Sequence, residues 1–175
     1  MAVFTTNVVI PADGSRSMSS RVLGQKFTVA QLDCYQLNTV RCYTKPTTEA
    51  TALECFVQIP DGTITQLGDS MPVSATVNEY ITFTGTVIVD NQDFIIWIYQ
   101  DSAGEAKLID NCTTAGTFLG TEVEQTKSLT PIYANWATLN GECTNTALFL
   151  DGTYDATVPG ATGGRFPPPP AYVRI

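Results

Sequence analysis

The sequence predicts an all-β fold, an antiparallel two-sheet sandwich wound in jelly-roll fashion, and three observations lead there. Threonine occurs 26 times in 175 residues, and with valine, isoleucine and the aromatic residues it makes a β-branched composition suited to half-buried pleated surfaces. Segments that alternate apolar and polar residues with a period of two recur every 10 to 15 residues, separated by turn chemistry. No long window keeps the i, i+3, i+4, i+7 apolar spacing of an amphipathic helix. Helix content is therefore expected to be small, with 29–32 or 127–134 as the places for a short turn.

Taken in order, strands are expected at residues 7–10, 26–30, 35–43, 53–59, 63–67, 80–90, 94–99, 106–109, 117–124, 132–139 and 146–150. In 53–59, Leu53, Cys55, Val57 and Ile59 share one face, which makes Cys55 a small core residue. In 80–90, Ile81, Phe83, Gly85, Val87 and Val89 alternate with Thr82, Thr84, Thr86 and Ile88, so one face is core and the other wet. Phe94-Ile95-Ile96-Trp97-Ile98-Tyr99 is apolar on both faces and too short for a comfortable helix, the pattern of a central strand, and a hairpin through Asp90-Asn91-Gln92-Asp93 would pair it with the strand before it. Pro60-Asp61-Gly62, Ser102-Ala103-Gly104, Asn140-Gly141 and Asp151-Gly152 supply turns elsewhere.

With 43% apolar and 15% charged residues the chain has the composition of one domain with a real core, residues 26–158, and not of a disordered acidic segment. Residues 1–25 are Ser-rich, basic and poorly periodic at 11–25, and are expected to form an extended N-terminal arm. Residues 159–164 read as a glycine hinge, and the four prolines at 167–170 as a stiff polyproline rod between Arg165-Phe166 and Tyr172. No apolar run approaches the roughly 20 residues that span a bilayer, and the first residues lack the pattern of a signal peptide, so no membrane partner is expected.

Charge is unevenly distributed. Residues 1–50 carry five cations against three acids, residues 51–164 two against fourteen, and residues 165–175 two against none. Basic ends flank an acidic body, which repels phosphate backbones and argues against a nucleic-acid partner. Histidine is absent, which removes imidazole-based catalysis and imidazole zinc sites. Cys34, Cys42, Cys55, Cys112 and Cys143 are spaced by 8, 13, 57 and 31 residues, contain no C-x-x-C pair, and are expected to be buried free thiols. No cofactor and no enzymatic activity are expected.

Other candidate sites each have a plain structural counterpart. Asp90 with Asp93, and Asp151 with Asp155, place loop carboxylates where calcium ligation is possible, although neither matches the twelve-residue calcium loop, and solvated turns explain them equally. Trp97, Tyr99, Tyr133 and Trp136 are candidates for a sugar-stacking platform. Trp97 belongs rather to the core because its neighbours are all apolar, which leaves Trp136 and Tyr133 as the glycan candidates. Asn111-Cys112-Thr113 matches the glycosylation acceptor pattern. The polyproline segment satisfies P-x-x-P trivially, and packing along its own body or a neighbouring subunit accounts for it as well.

A basic Ser-rich N-terminal segment, an acidic Thr-rich β-body without histidine, a glycine hinge and a polyproline tail together resemble the small structural proteins of tailed-phage virions, in particular capsid decoration (cement) proteins. The resemblance covers the whole chain and lies in its layout, without a diagnostic motif. It implies a β-domain on the outside of a capsid, assembled in the host cytoplasm, often a trimer at local three-fold positions, that clamps neighbouring copies of the major capsid protein. The contacts it implies are Arg16, Arg21, Arg165, Phe166, Tyr172 and Arg174. The principal alternative is a carbohydrate-binding β-sandwich module or phage adhesin domain, and a third is a small glycan-active enzyme using loop carboxylates.

Overall fold

A computed structural model describes residues 1–6, 14–18, 21–45, 51–100, 107–111, 119–126 and 147–157. No described residue is helical, and thirteen strands run in the order β1 (Ala2–Thr5), β2 (Gly14–Ser17), β3 (Arg21–Phe27), β4 (Gln36–Lys45), β5 (Thr51–Gln58), β6 (Ile64–Gln66), β7 (Met71–Val73), β8 (Glu79–Ile88), β9 (Phe94–Gln100), β10 (Lys107–Asn111), β11 (Thr121–Thr126), β12 (Ala147–Leu148) and β13 (Leu150–Asp155). They form two sheets, and every pairing is antiparallel. The seven-stranded sheet runs β1-β13-β4-β10-β12, with β8 also on β4 and β2 on β10; the six-stranded sheet runs β11-β3-β9-β5-β6, with β7 also on β5.

The sheets bury a common core. Leu37, Val40 and Cys42 from β4, Ile81, Phe83 and Val87 from β8, and Leu150 from β13 pack with Leu23 and Phe27 from β3, Leu53, Cys55 and Val57 from β5, and Phe94, Ile96 and Ile98 from β9. Rings continue the contact, Phe4 edge-on to Phe27 at 5.7 Å and Phe27 stacked on Phe94 at 5.2 Å. The period-two segments therefore bury the side that their alternation predicts, and the all-β two-sheet architecture holds.

Alternation in β4 breaks at one place for a visible reason. Leu37 and Val40 both face the core although three residues separate them, because the register shifts at Asn38 against both β8 and β13. The Asn38 amide accepts a hydrogen bond from Gln36 Nε2 at 2.6 Å and donates one to Asp155 Oδ2 at 2.9 Å.

Three expectations are corrected. The strands 80–90 and 94–99 do not pair with each other: β8 lies on β4 and β9 lies between β3 and β5, so Asp90 and Asn91, both at positive φ, carry the chain from one sheet to the other. The turn read at Asp151-Gly152 is instead part of β13, where Gly152 sits under the ring of Phe4 and against the Thr39 carbonyl, a place with no room for a Cβ. In segment 1–25, expected as an arm, the described residues are woven into the body: β1 pairs β13, β2 pairs β10, and β3 lies between β11 and β9.

Elsewhere the differences are ones of extent. Of the hairpins, the Pro60-Asp61-Gly62 turn is present between β5 and β6, with Thr63 N donating to Asp61 Oδ1 at 2.8 Å. The short turn expected at 29–32 exists, with the amides of Gln31 and Leu32 both donating to the Thr28 carbonyl. The strands expected at 7–10 and 132–139, and the tail 159–175, lie outside the described residues.

Candidate functional site

The outward faces of the two sheets differ. On the six-stranded sheet, Val22, Phe56, Ile95, Trp97 and Val123 form a second apolar cluster, with Ile64 and Tyr99 packed against it. Ile95, Trp97 and Val123 are fully buried although they point away from the core between the sheets. Trp97 Nε1 donates to Gln58 Oε1 at 2.8 Å, which satisfies its one polar atom. Gly24 makes room for the indole, since a Cβ there would lie 2.6 Å from Trp97 Cε3.

The outward face of the seven-stranded sheet is polar and open. Along β8, Tyr80, Thr82, Thr84, Thr86 and Ile88 are exposed. Beside them β4 presents Thr39, Arg41 and Tyr43, β13 presents Asp151 and Thr153, and β1 presents Val3 and Thr5. Val3, Phe4, Thr5, Thr39, Arg41, Thr82, Asp151, Gly152 and Thr153 line a groove of about 450 Å³, within the size range of small-ligand sites.

Arg41 and Asp151 are cross-strand partners at the centre of this groove. Arg41 Nε donates to Asp151 Oδ1 at 2.8 Å and Nη2 to Oδ2 at 2.5 Å, a bidentate pair. The bond to Asp151 holds the Arg41 guanidinium above its ordinary pKa. The guanidinium carbon also lies 4.4 Å from the centroid of the Tyr80 ring, a cation–π contact. Tyr80 meets Tyr43 edge-on at 4.6 Å and Phe149 at 5.8 Å, so an aromatic cluster closes one end of the face. Towards the other end, Thr39 Oγ1 accepts from the Thr153 amide at 3.0 Å and shares a hydroxyl–hydroxyl bond of 2.8 Å with Thr153.

Phe149 reaches this face because of a break between the last two described strands, β12 and β13. Thr6, fully buried, donates from Oγ1 to the Leu148 carbonyl at 2.7 Å and accepts from the Leu150 amide at 3.0 Å. Its hydroxyl replaces ladder partners between β12 and β13, while Gln25 Oε1 accepts from the Leu148 amide. Leu148 and Leu150 then face the core and Phe149 the aromatic cluster.

Of the residues singled out from the sequence, Asp151 lines the groove. Arg16 lies on β2 opposite Leu108, and Arg21 opens β3 opposite Thr126. Arg165, Phe166, Tyr172 and Arg174, and the glycan candidates Trp136 and Tyr133, lie outside the described residues. Trp97 is core, as its apolar neighbours predicted, and Tyr99 is half-buried beside Phe56.

Of the four candidate calcium carboxylates, Asp93, Asp151 and Asp155 have protein partners. Asp93 Oδ1 accepts from the Val29 amide at 2.9 Å, Asp151 is held by Arg41, and Asp155 takes the Met1 ammonium at 2.8 Å and the Asn38 amide. The ammonium first and the amide second hold the Asp155 carboxyl below the usual range. Among the described residues no cluster of three metal-ligating side chains occurs. Cys34, Cys42 and Cys55 are buried and free, and burial pushes the Cys34 and Cys42 thiols up to about 12 and raises Cys55 well above its ordinary value, so none of the three is a nucleophile near neutral pH.

The groove was only half visible in the sequence. Period two placed Thr82 and Thr84 on the wet side of their strand. Arg41 and Asp151, 110 residues apart, had no signal that joined them. Comparison with known proteins found no matching family model, curated protein or solved structure.

Proposed function

We propose that this chain is a non-enzymatic structural protein of a virion, a decoration (cement) protein that sits on the outer capsid surface as a trimer and clamps neighbouring copies of the major capsid protein. In this proposal the sandwich is wound as a jelly roll, and the crossing from β8 in one sheet to β9 in the other, through Asp90 and Asn91, supports such a winding. The observation that carries the functional reading is the contrast between the outward faces: one fills itself with Trp97 and its neighbours, and the other is left polar and open. A recognition domain needs a rigid body and one presented surface, and it needs no reactive group. The acidic body and the basic segment 165–175 support docking by that end, which steers the encounter and fixes register.

The test is uptake by particles assembled without this chain, read by co-sedimentation, with light scattering in solution as the companion measurement. The full chain is expected to bind and to be a trimer, and a version lacking residues 165–175 to fall to monomer and lose uptake. Particles that take up neither version sink the decoration reading, whereas uptake by both removes the tail from it. The deletion of residues 1–22 is not a clean probe, because it removes β1, β2 and the start of β3 from the sheets.

The glycan-binding alternative is favoured by one specific observation, an exposed tyrosine ring in contact with the arginine of an arginine–aspartate pair that lines a groove. In that case the same domain is an adhesin, and the open face is its working surface.

A further inference from the structure

We propose that the open face of the seven-stranded sheet binds a neutral carbohydrate chain, lying from the Tyr80 ring across the Arg41–Asp151 pair to Thr82 and the Thr39–Thr153 pair. This rests on the reading of the chain as a non-enzymatic surface-recognition domain and names the ligand class of its open face.

The chemistry of the groove fits vicinal hydroxyls. A sugar hydroxyl both donates and accepts, and it is best met by a donor and an acceptor side by side. Arg41 has five N–H donors and spends two on Asp151, and the carboxylate keeps lone pairs beyond the two it gives to Arg41. The pair therefore offers adjacent donors and acceptors while staying partly open, with side-chain exposures of 43% and 19%. Thr82 and the Thr39–Thr153 hydroxyl pair extend the polar floor. Tyr80, 47% exposed, offers the apolar ring surface that the Arg41 guanidinium does not cover to the C–H face of a sugar ring.

The arrangement is also pre-organised. Two hydrogen bonds and the Tyr80 ring fix the guanidinium, and Tyr43 and Phe149 fix Tyr80, so little side-chain freedom is lost when a ligand arrives. From Tyr43 to Thr39 the face runs four residues of β4, about 13 Å at the rise of a strand, which suits a short stretch of a polymer rather than a single small molecule.

Charge decides between sugar classes. Among the described residues, the one cation lining the groove is neutralised by its own partner, and the chain carries a net charge of −8. An anionic polysaccharide would meet no uncompensated positive charge there and would be repelled by the body. A neutral chain loses nothing from either.

The experiment immobilises cello-, malto-, manno- and chito-oligosaccharides beside heparin and alginate and measures binding of the full chain, Tyr80→Ala, Asp151→Asn and Thr84→Ala. At least one neutral oligosaccharide is expected to bind, with a loss of tenfold or more in Tyr80→Ala and Asp151→Asn, both variants remaining folded by circular dichroism. Thr84→Ala, beside the groove but not lining it, should stay within a factor of about three. Preference for heparin or alginate overturns the neutral class, and binding that survives both groove variants overturns the site. Silence across the whole panel overturns the glycan inference but leaves particle uptake standing. Loss of uptake in Tyr80→Ala turns the face into a protein-docking surface, which overturns the inference in the opposite direction.

Discussion

Two sheets of one sandwich share a core and treat their outer faces in opposite ways. The six-stranded sheet places Trp97, Ile95, Phe56, Val22 and Val123 outside the shared core and still buries them, so its central strand β9 is apolar on both sides. The seven-stranded sheet places threonines, a tyrosine and an arginine–aspartate pair outside, and leaves them open. A buried outer face adds stability through area and packing, whereas an open one contributes little to folding and is free to be specific. Burial and exposure of the outer faces are thus separated by sheet, and substitutions on the two faces should have different consequences.

The largest expected difference is between Trp97→Ala and Thr84→Ala. The first empties a fully buried indole site and removes the hydrogen bond to Gln58 Oε1, at a cost of about 3–5 kcal/mol; the second changes an exposed hydroxyl and should stay within about 0.5 kcal/mol. Urea denaturation of the two variants reads this directly. Comparable losses would mean that the open face is covered and that the contrast is false.

Next in size is an alkaline loss of stability that belongs to the space between the sheets. The Cys42 thiol is pushed from 9.0 to about 12 by burial, so above about pH 9 the unfolded chain gives up this proton while the folded chain keeps it. Stability present below pH 9 is then lost as pH rises towards 12, at about 1.4 kcal/mol per pH unit for each such thiol. Cys42→Ala, compared with wild type at pH 8 and pH 10.5, should show a shallower decline whatever its stability at pH 8. Parallel declines would mean that the thiol ionises freely.

Gly24→Ala is expected to cost about 1–3 kcal/mol, because the added methyl would press on the indole that β3 is built to admit. Chemical denaturation together with the near-ultraviolet signal of the tryptophans should register it, and an unchanged signal would show that the indole yields without strain. The smallest effect is expected for Arg41→Ala, about 0.2–1 kcal/mol, since a partly exposed pair contributes little to folding even with two hydrogen bonds. A loss above about 2 kcal/mol would make Arg41 a structural residue and weaken its assignment to recognition.

How much was legible follows from range along the chain. Thr82, Thr84, Ile81 and Phe83 declare their faces by alternation alone, and Trp97 declares its burial through its apolar neighbours. β2 was not legible, because Gly-Ser-Arg-Ser has neither alternation nor β-branched residues and becomes a strand only by pairing with β10. β13 was misread for a related reason: Asp-Gly is turn chemistry locally, but β1 and β4 on either side hold it extended. The hairpin between β8 and β9 failed because a short connection fixes neighbours in sequence and not neighbours in a sheet.

The sequence by itself determined the all-β class, most of the central strands, the side of each that faces the core, and the buried state of Cys34, Cys42 and Cys55, because alternation and hydropathy are properties of residues close together in the chain. Only the tertiary structure decided strand order, the register shift at Asn38, and the meeting of Arg41 with Asp151 and of Tyr80 with Phe149. Those depend on pairings between strands far apart in sequence, whose free energy comes from filling one shared interior. No local pattern encodes which distant strand will supply the partner.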